Sequence, residues 1–165
     1  MEKILITGNG PLRGEVRVAG AKNAALPIIA ASLLSAEPLR ISNIPGVRDI
    51  STVLQLMELL GAQVERSGTE LTIDSSKVHS VRAPYEFVKT MRGSILLLGP
   101  LVARFGEADV SLPGGCAIGS RPVNEHIAGL EALGAEIRIE AGYIQAKAKR
   151  LKGAHFAFDV PSVTA

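Results

Sequence analysis

The chain has 165 residues, enough for one domain with a real core, and its 47% hydrophobic and 21% charged content is ordinary for a globular protein. A net charge of +2 with scattered Lys and Arg argues against a nucleic-acid footprint, and 4% aromatic content argues against base-stacking platforms. One cysteine makes no internal disulfide, which fits a reducing compartment.

In chain order, the amino terminus MEKILITG is a strand-like run with an early charge pair and no signal-peptide pattern. Short strands are predicted over residues 3–7 and 15–19. Gly8, Asn9, Gly10 and Gly14 between them superficially resemble a phosphate loop, but no helix follows, so the segment reads as a hairpin turn. A helix is predicted over about 23–35, a strand over 38–44, a second helix over 50–60, and strands over 62–66 and 69–74. Asp49 and Ser51 are read as caps of the second helix. A third helix is predicted over 91–103 and a strand over 107–112. A Gly-rich loop leads to a helix over 121–133, with Ser120 as its N-cap and Val123, Ile127, Leu130 and Leu133 on one apolar stripe. Strands over 135–140 and 143–148 follow. The most apolar stretch, residues 94–105, is too short to span a bilayer and carries Pro100 and Arg104. No membrane association is expected, and the location is read as cytoplasmic.

The pattern repeats. Residues 56–65, LMELLGAQVE, and 129–138, GLEALGAEIR, both end a helical pattern on Leu-Gly-Ala and then alternate like a strand. Gly61 and Gly134 are 73 residues apart, whereas Pro45 and Pro113, in matching Pro-Gly turns, are 68 apart. The extra five residues fall between Pro113 and the second helix of the later copy, where Cys116 lies. A local elaboration on a repeated scaffold is a natural place for added function. Residues 155–160 alternate like another strand, and 161–165 sit where 20–24 would precede a first helix. The expected organisation is therefore copies over about 21–88 and 89–158 and the start of a third over 159–165, with 1–20 apart from them. Such a unit buries its apolar face only against neighbours, so the chain reads as a fragment of a longer protein.

Several residues could carry chemistry. Lys22 and Asn23 open the first helix of one copy, and Arg92 stands at the matching start in the other; Ser162 and Val163 would open the third. Helix N-termini present unpaired N–H groups and partial positive charge, and cations added there attract anions. A phosphate or carboxylate ligand is the expected guest. Cys116 lies among Gly114, Gly115 and Gly119, close to Arg121. A cation and a helix N-terminus both favour thiolate, and a mobile loop could bring the sulfur over a ligand. His79, His126 and His155 have no metal-ligand spacing, so no metal site is expected.

The segments GAKNAALP (20–27), APYEFVKTMRGS (83–94), GPLVARFG (99–106) and LPGGCAIGSRPV (112–123), in this order, resemble the UDP-N-acetylglucosamine 1-carboxyvinyltransferase family over essentially the whole chain. The resemblance implies an α/β fold of repeated βαβαββ-type units, an inside-out α/β barrel with helices inside, of which about two and a fraction copies are present. It implies that residues 1–20 pack with a second domain, so the partner is the missing C-terminal part of the same enzyme. It implies an alkyl transferase without cofactor or metal. Enolpyruvyl passes from phosphoenolpyruvate to the 3-hydroxyl of UDP-N-acetylglucosamine, releasing phosphate, in the committed step of peptidoglycan synthesis, on which cell-wall biogenesis, cell shape and cell division depend.

Carried over residue by residue, the resemblance makes Cys116 the proton donor and the target of fosfomycin. Lys22 and Asn23 become phosphoenolpyruvate contacts, Lys22 and Arg121 join the catalytic group, and Arg92 becomes a substrate-binding arginine. Arg121, Pro122, Val123, Asn124 and Glu125 would hold the nucleotide sugar, and Ser162 and Val163 its diphosphate. Asn124 stands where many members have Asp, and Thr164 where Gly is common. The carboxylate that takes the hydroxyl proton would lie outside the chain, so the fragment is expected to bind weakly and not turn over. Two alternatives are a relative of the shikimate 3-phosphate enolpyruvyl transferases, set apart by Ala21-Lys22-Asn23 where those carry a Ser-Lys-Ser type motif, and a non-catalytic nucleotide-sugar-binding module.

Overall fold

The computed structural model describes residues 3–8, 10–88, 92–112 and 123–158. The first unit starts with α1 (Lys22–Ala31), which tightens into a 3-10 turn over Ser32–Leu34. It continues through β1 (Leu39–Ile41), α2 (Arg48–Leu60), β2 (Gln63–Ser67) and β3 (Glu70–Asp74). The strands form an antiparallel sheet in the order β1-β3-β2. Alternation decides its faces: Leu71 and Ile73 of β3 are buried, while Thr72 and Asp74 between and after them are partly exposed.

A short connection carries β4 (Arg82–Ala83) and α3 (Tyr85–Val88). The second unit then repeats the plan. A 3-10 segment over Arg92–Leu97 runs into α4 (Leu98–Phe105), followed by β5 (Glu107–Ser111), α5 (Asn124–Ala132), β6 (Glu136–Glu140) and β7 (Tyr143–Lys147). The sheet order is β4-β5-β7-β6, so β5-β7-β6 repeats β1-β3-β2, with β4 added in parallel to β5. The helix–strand junctions repeat as well: Gly61 and Gly134 both take positive φ, +106° and +94°, which a residue with a Cβ rarely adopts.

The core is one cluster. α1 packs on α2 and on the 3-10 segment of the second unit, and α4 packs on the turn after α1. Ile29, Leu33, Leu56, Met57, Leu60, Leu97 and Leu101 are fully buried there, with Ile73 from one sheet and Ile144 from the other. The helices share the interior and the sheets flank them, as the α/β reading expects. One long-range tie crosses the units: Arg104 of α4 donates from Nη1 to the Leu33 and Ser35 carbonyls at 2.9 and 2.8 Å, serving orphan carbonyls where the α1 helix ends.

Three expectations are corrected. No strand forms among the described residues of 3–7 and 15–19; Ile4, Leu5 and Val16 are 89%, 93% and 89% exposed. A hairpin without a layer to cover it is marginal in water. Residues 155–158 are likewise not a strand, and Phe156 and Phe158 pack edge to face, 5.3 Å between centroids. Asp49 and Ser51 do not cap α2, because Val47 holds the N-cap position and the first turn begins at Arg48.

Candidate functional site

The site is built where two helices begin. α1 opens at Lys22 with no acid in its first turn and no side-chain cap at Ala21. A cation there opposes the helix dipole, so local helix energetics do not account for it. Its charge is met across the gap between helices: Lys22 Nζ lies 2.8 Å from Oδ2 of Asp49, in the first turn of α2. The two side chains keep 47% and 35% of their surface in water, so an incoming ligand can reach both. Asn23 is exposed beside Lys22.

The sequence holds these two helix starts together through the loop between β1 and α2. A Cβ at Gly20 would overlap the Asn43 carbonyl oxygen, so only glycine lets the chain entering α1 pass that close. Asn43 takes φ +58°, Ile44 N–H donates to the Thr69 carbonyl at 2.9 Å, and Arg66 Nη2 donates to the Pro45 carbonyl at 3.2 Å. The loop is pinned on β2 and the β2–β3 turn, which aims α2 so that Asp49 faces Lys22.

Arg92 opens the 3-10 segment, and the next residue, Gly93, abuts Leu26 of α1: a Cβ there would lie 3.0 Å from Leu26 Cδ1. The Arg92 backbone thus runs beside α1. Val123 is the N-cap residue of α5, and Asn124 and Glu125 form its first turn, with Asn124 exposed. Among the described residues α5 covers Asn124–Ala132; the start expected at 121 and the Ser120 cap fall on residues outside them. Cys116, Ser120, Arg121, Pro122, Ser162 and Val163 lie outside the described residues. On α5, desolvation holds the His126 imidazole below its ordinary value of 6.5, although the residue keeps an exposed edge. Among the described residues, no group of three His, Cys, Asp or Glu side chains stands together to hold a metal.

Sequence reasoning missed Asp49 as the partner of Lys22. An acid two residues into a helix reads as a dipole partner, and only the packing of α1 on α2 reveals the ion pair. It also missed a cluster on the second sheet. Arg82 lies 3.4 Å from Asp109 Oδ2 and stacks 4.5 Å over the Tyr143 ring, and Tyr143 first, then Asp109, raise its pKa further. The ion pair and the stacking fasten β4 onto β5 and β7. An open cleft of about 800 Å³ lies elsewhere, between the C-terminal ends of α4 and α5, lined by Glu136, Lys147, Lys149, Arg150 and Lys152. Cations at helix C-termini answer the dipole there.

The sequence profile described as EPSP synthase (3-phosphoshikimate 1-carboxyvinyltransferase) matches residues 6–165. A UDP-N-acetylglucosamine 1-carboxyvinyltransferase of Halorhodospira halophila is 56% identical over 165 residues, 99% of this chain. The chain spans 40% of that relative's length. The enolpyruvyl transferase NikO of Streptomyces tendae superposes with a TM-score of 0.74 at 27% identity, over 88% of this chain and 32% of that one. An EPSP synthase of Acinetobacter baumannii shares the fold, with a TM-score of 0.70 at 20% identity, over 95% of this chain and 37% of its own. With its doubled helix–sheet unit and a match across nearly its whole length, the chain belongs to the EPSP synthase (3-phosphoshikimate 1-carboxyvinyltransferase) family.

Proposed function

We propose that this chain supplies part of an enzyme that moves enolpyruvyl from phosphoenolpyruvate to the 3-hydroxyl of UDP-N-acetylglucosamine and releases phosphate. The observation that carries the reading is Lys22: a half-exposed ammonium placed at a helix start, against the dipole, in a chain 56% identical to a UDP-N-acetylglucosamine 1-carboxyvinyltransferase. Phosphoenolpyruvate bears a phosphate and a carboxylate, so cations and unpaired N–H groups should converge on it. Lys22 and Asn23 receive it, with Arg92 beside them.

Cys116 is the general acid. Its proton goes to the enol methylene carbon, and the oxocarbenium-like centre so formed takes the sugar oxygen. Loss of a proton from the new methyl group then expels phosphate and restores the double bond. Arg121, Pro122, Val123, Asn124 and Glu125 hold the nucleotide sugar, and Ser162 and Val163 meet its diphosphate. The base for the hydroxyl proton comes from sequence corresponding to the rest of the relative's length. The copies over 21–88 and 89–158, a third begun at 159–165, and the docking of residues 1–20 on a second domain belong to this same proposal. So do a cytoplasmic location and a place in cell-wall synthesis. No helix among the described residues is long and apolar enough to cross a membrane.

Ligand-observed NMR with this chain tests the substrate class. UDP-N-acetylglucosamine should show saturation transfer that shikimate 3-phosphate does not. Transfer to shikimate 3-phosphate alone would overturn the assignment in favour of the other branch of the family.

A further inference from the structure

We propose that Asp49 is the resident counter-ion of the anion site, a residue that sets how readily an anion reaches Lys22. The inference rests on the reading of Lys22 as a phosphoenolpyruvate contact and goes one step further. Lys22 Nζ is in contact with Asp49 Oδ2, at 2.8 Å, and both side chains are open to water. A phosphate approaching the start of α1 therefore meets an ammonium already neutralised, with a carboxylate a few ångströms behind it. It must displace that carboxylate or bind alongside it against repulsion.

Two effects of Asp49 oppose each other. Holding the long lysine side chain in place would help a ligand; competing with the ligand for the ammonium would hinder it. The positional help is small, because the arriving anion orders the lysine itself and an exposed ion pair contributes little. The repulsion is larger: one unit charge at ~4 Å changes a binding constant by roughly fivefold even in bulk water, and a phosphate dianion doubles the exponent. Competition wins, so Asp49 acts as a selector. It weakens the hold of Lys22 on any lone anion and leaves the advantage to ligands with additional anchoring contacts that can take Lys22 away from it. Phosphoenolpyruvate carries two anionic groups and meets that demand better than a simple monoanion.

The test uses the chain with lysine side chains labelled and inorganic phosphate as the probe, read by NMR at the Lys22 ammonium. Asp49→Asn should tighten binding of the phosphate monoanion by roughly fivefold, and of the dianion by more. Asp49→Glu should bind like wild type, and the gain should vanish in the Lys22→Ala background, followed there by backbone amide shifts. A purely structural role for Asp49, as an acid in the first turn of α2, would lower thermal stability in Asp49→Asn and leave the affinity unchanged or weaker. That result, or a gain that survives Lys22→Ala, would overturn the proposal. Failure of UDP-N-acetylglucosamine to bind would instead sink the proposed reaction and leave this phosphate comparison standing.

Discussion

At the residue scale, Lys22 contributes little to the fold, which leaves it free to serve a ligand in the proposed site. It faces the wrong end of the α1 dipole, and among the described residues its offset is a half-exposed pair with Asp49. Such pairs contribute about 0–1 kcal/mol and the dipole opposes a cation by a similar amount. Lys22→Ala should therefore change the free energy of urea unfolding by less than about 1 kcal/mol, while abolishing the phosphoenolpyruvate-induced shifts of the α1 amides. A large loss of stability would mean that Lys22 is structural. Asp74 makes a second residue-scale prediction. Hydrogen bonds from Ser76, its backbone N–H at 2.8 Å among them, hold the carboxyl below the usual 3.8. A carboxylate with a depressed folded pKa stabilises above the unfolded value and loses that contribution as the pH falls through the folded one. Asp74→Asn should thus leave stability unchanged in acid, well below 3.8, and reduce it slightly at neutral pH, as followed by thermal unfolding across that range.

At the element scale, helix and strand positions were legible wherever the period was long enough to read. The strand predictions over 62–66, 69–74, 107–112, 135–140 and 143–148 agree with β2, β3, β5, β6 and β7 to within a residue at each end. β4 was missed, since two residues carry no alternation and Arg82–Ala83 is a strand only because β5 offers an edge. α3, with four residues, was missed for the same lack of period. The residues 15–19 alternate well and form no strand, because alternation shows what a segment could bury and not whether a partner is present. Glycine 20 was read only as part of a motif, and its steric role needed the position of Asn43. Gly20→Ala should cost about 1–3 kcal/mol by overpacking against that carbonyl and should weaken phosphate binding through displacement of α1. Denaturation and phosphate titration of the same variant check both. In the same way, Arg104→Met removes two donors to the end of the α1 helix and should lower stability by roughly 1–3 kcal/mol, with hydrogen exchange rising around Leu33 and Ser35.

At the scale of the whole molecule, the doubled sheet order is the main structural result. β1-β3-β2 and β5-β7-β6 have the same topology, and their helices pool one apolar interior. The repeat was visible in the Leu-Gly-Ala signatures because a helix that must turn directly into a strand needs a residue of positive φ at the same place each time. At the candidate site, what was legible is position: Lys22 opens α1 and Arg92 opens the 3-10 segment. The pairing of Lys22 with Asp49 depends on how two helices pack and has no local signature. The chain spans 40% of its 56%-identical relative, and its apolar residues between Ile4 and Val18 stand in water. We therefore expect no steady release of phosphate when the chain meets both substrates, as measured by a coupled phosphate assay. Turnover at a rate typical of an enzyme would show that the chain holds a complete active centre.

The most direct measurement joins the thiol to the nucleotide-sugar site. Intact-mass analysis of the chain with fosfomycin should find one adduct, located on Cys116, formed faster when UDP-N-acetylglucosamine is present and absent in Cys116→Ser. A Cys116 that reacts no faster with the nucleotide sugar than without it, or does not react at all, would contradict the assignment of this chain to enolpyruvyl transfer.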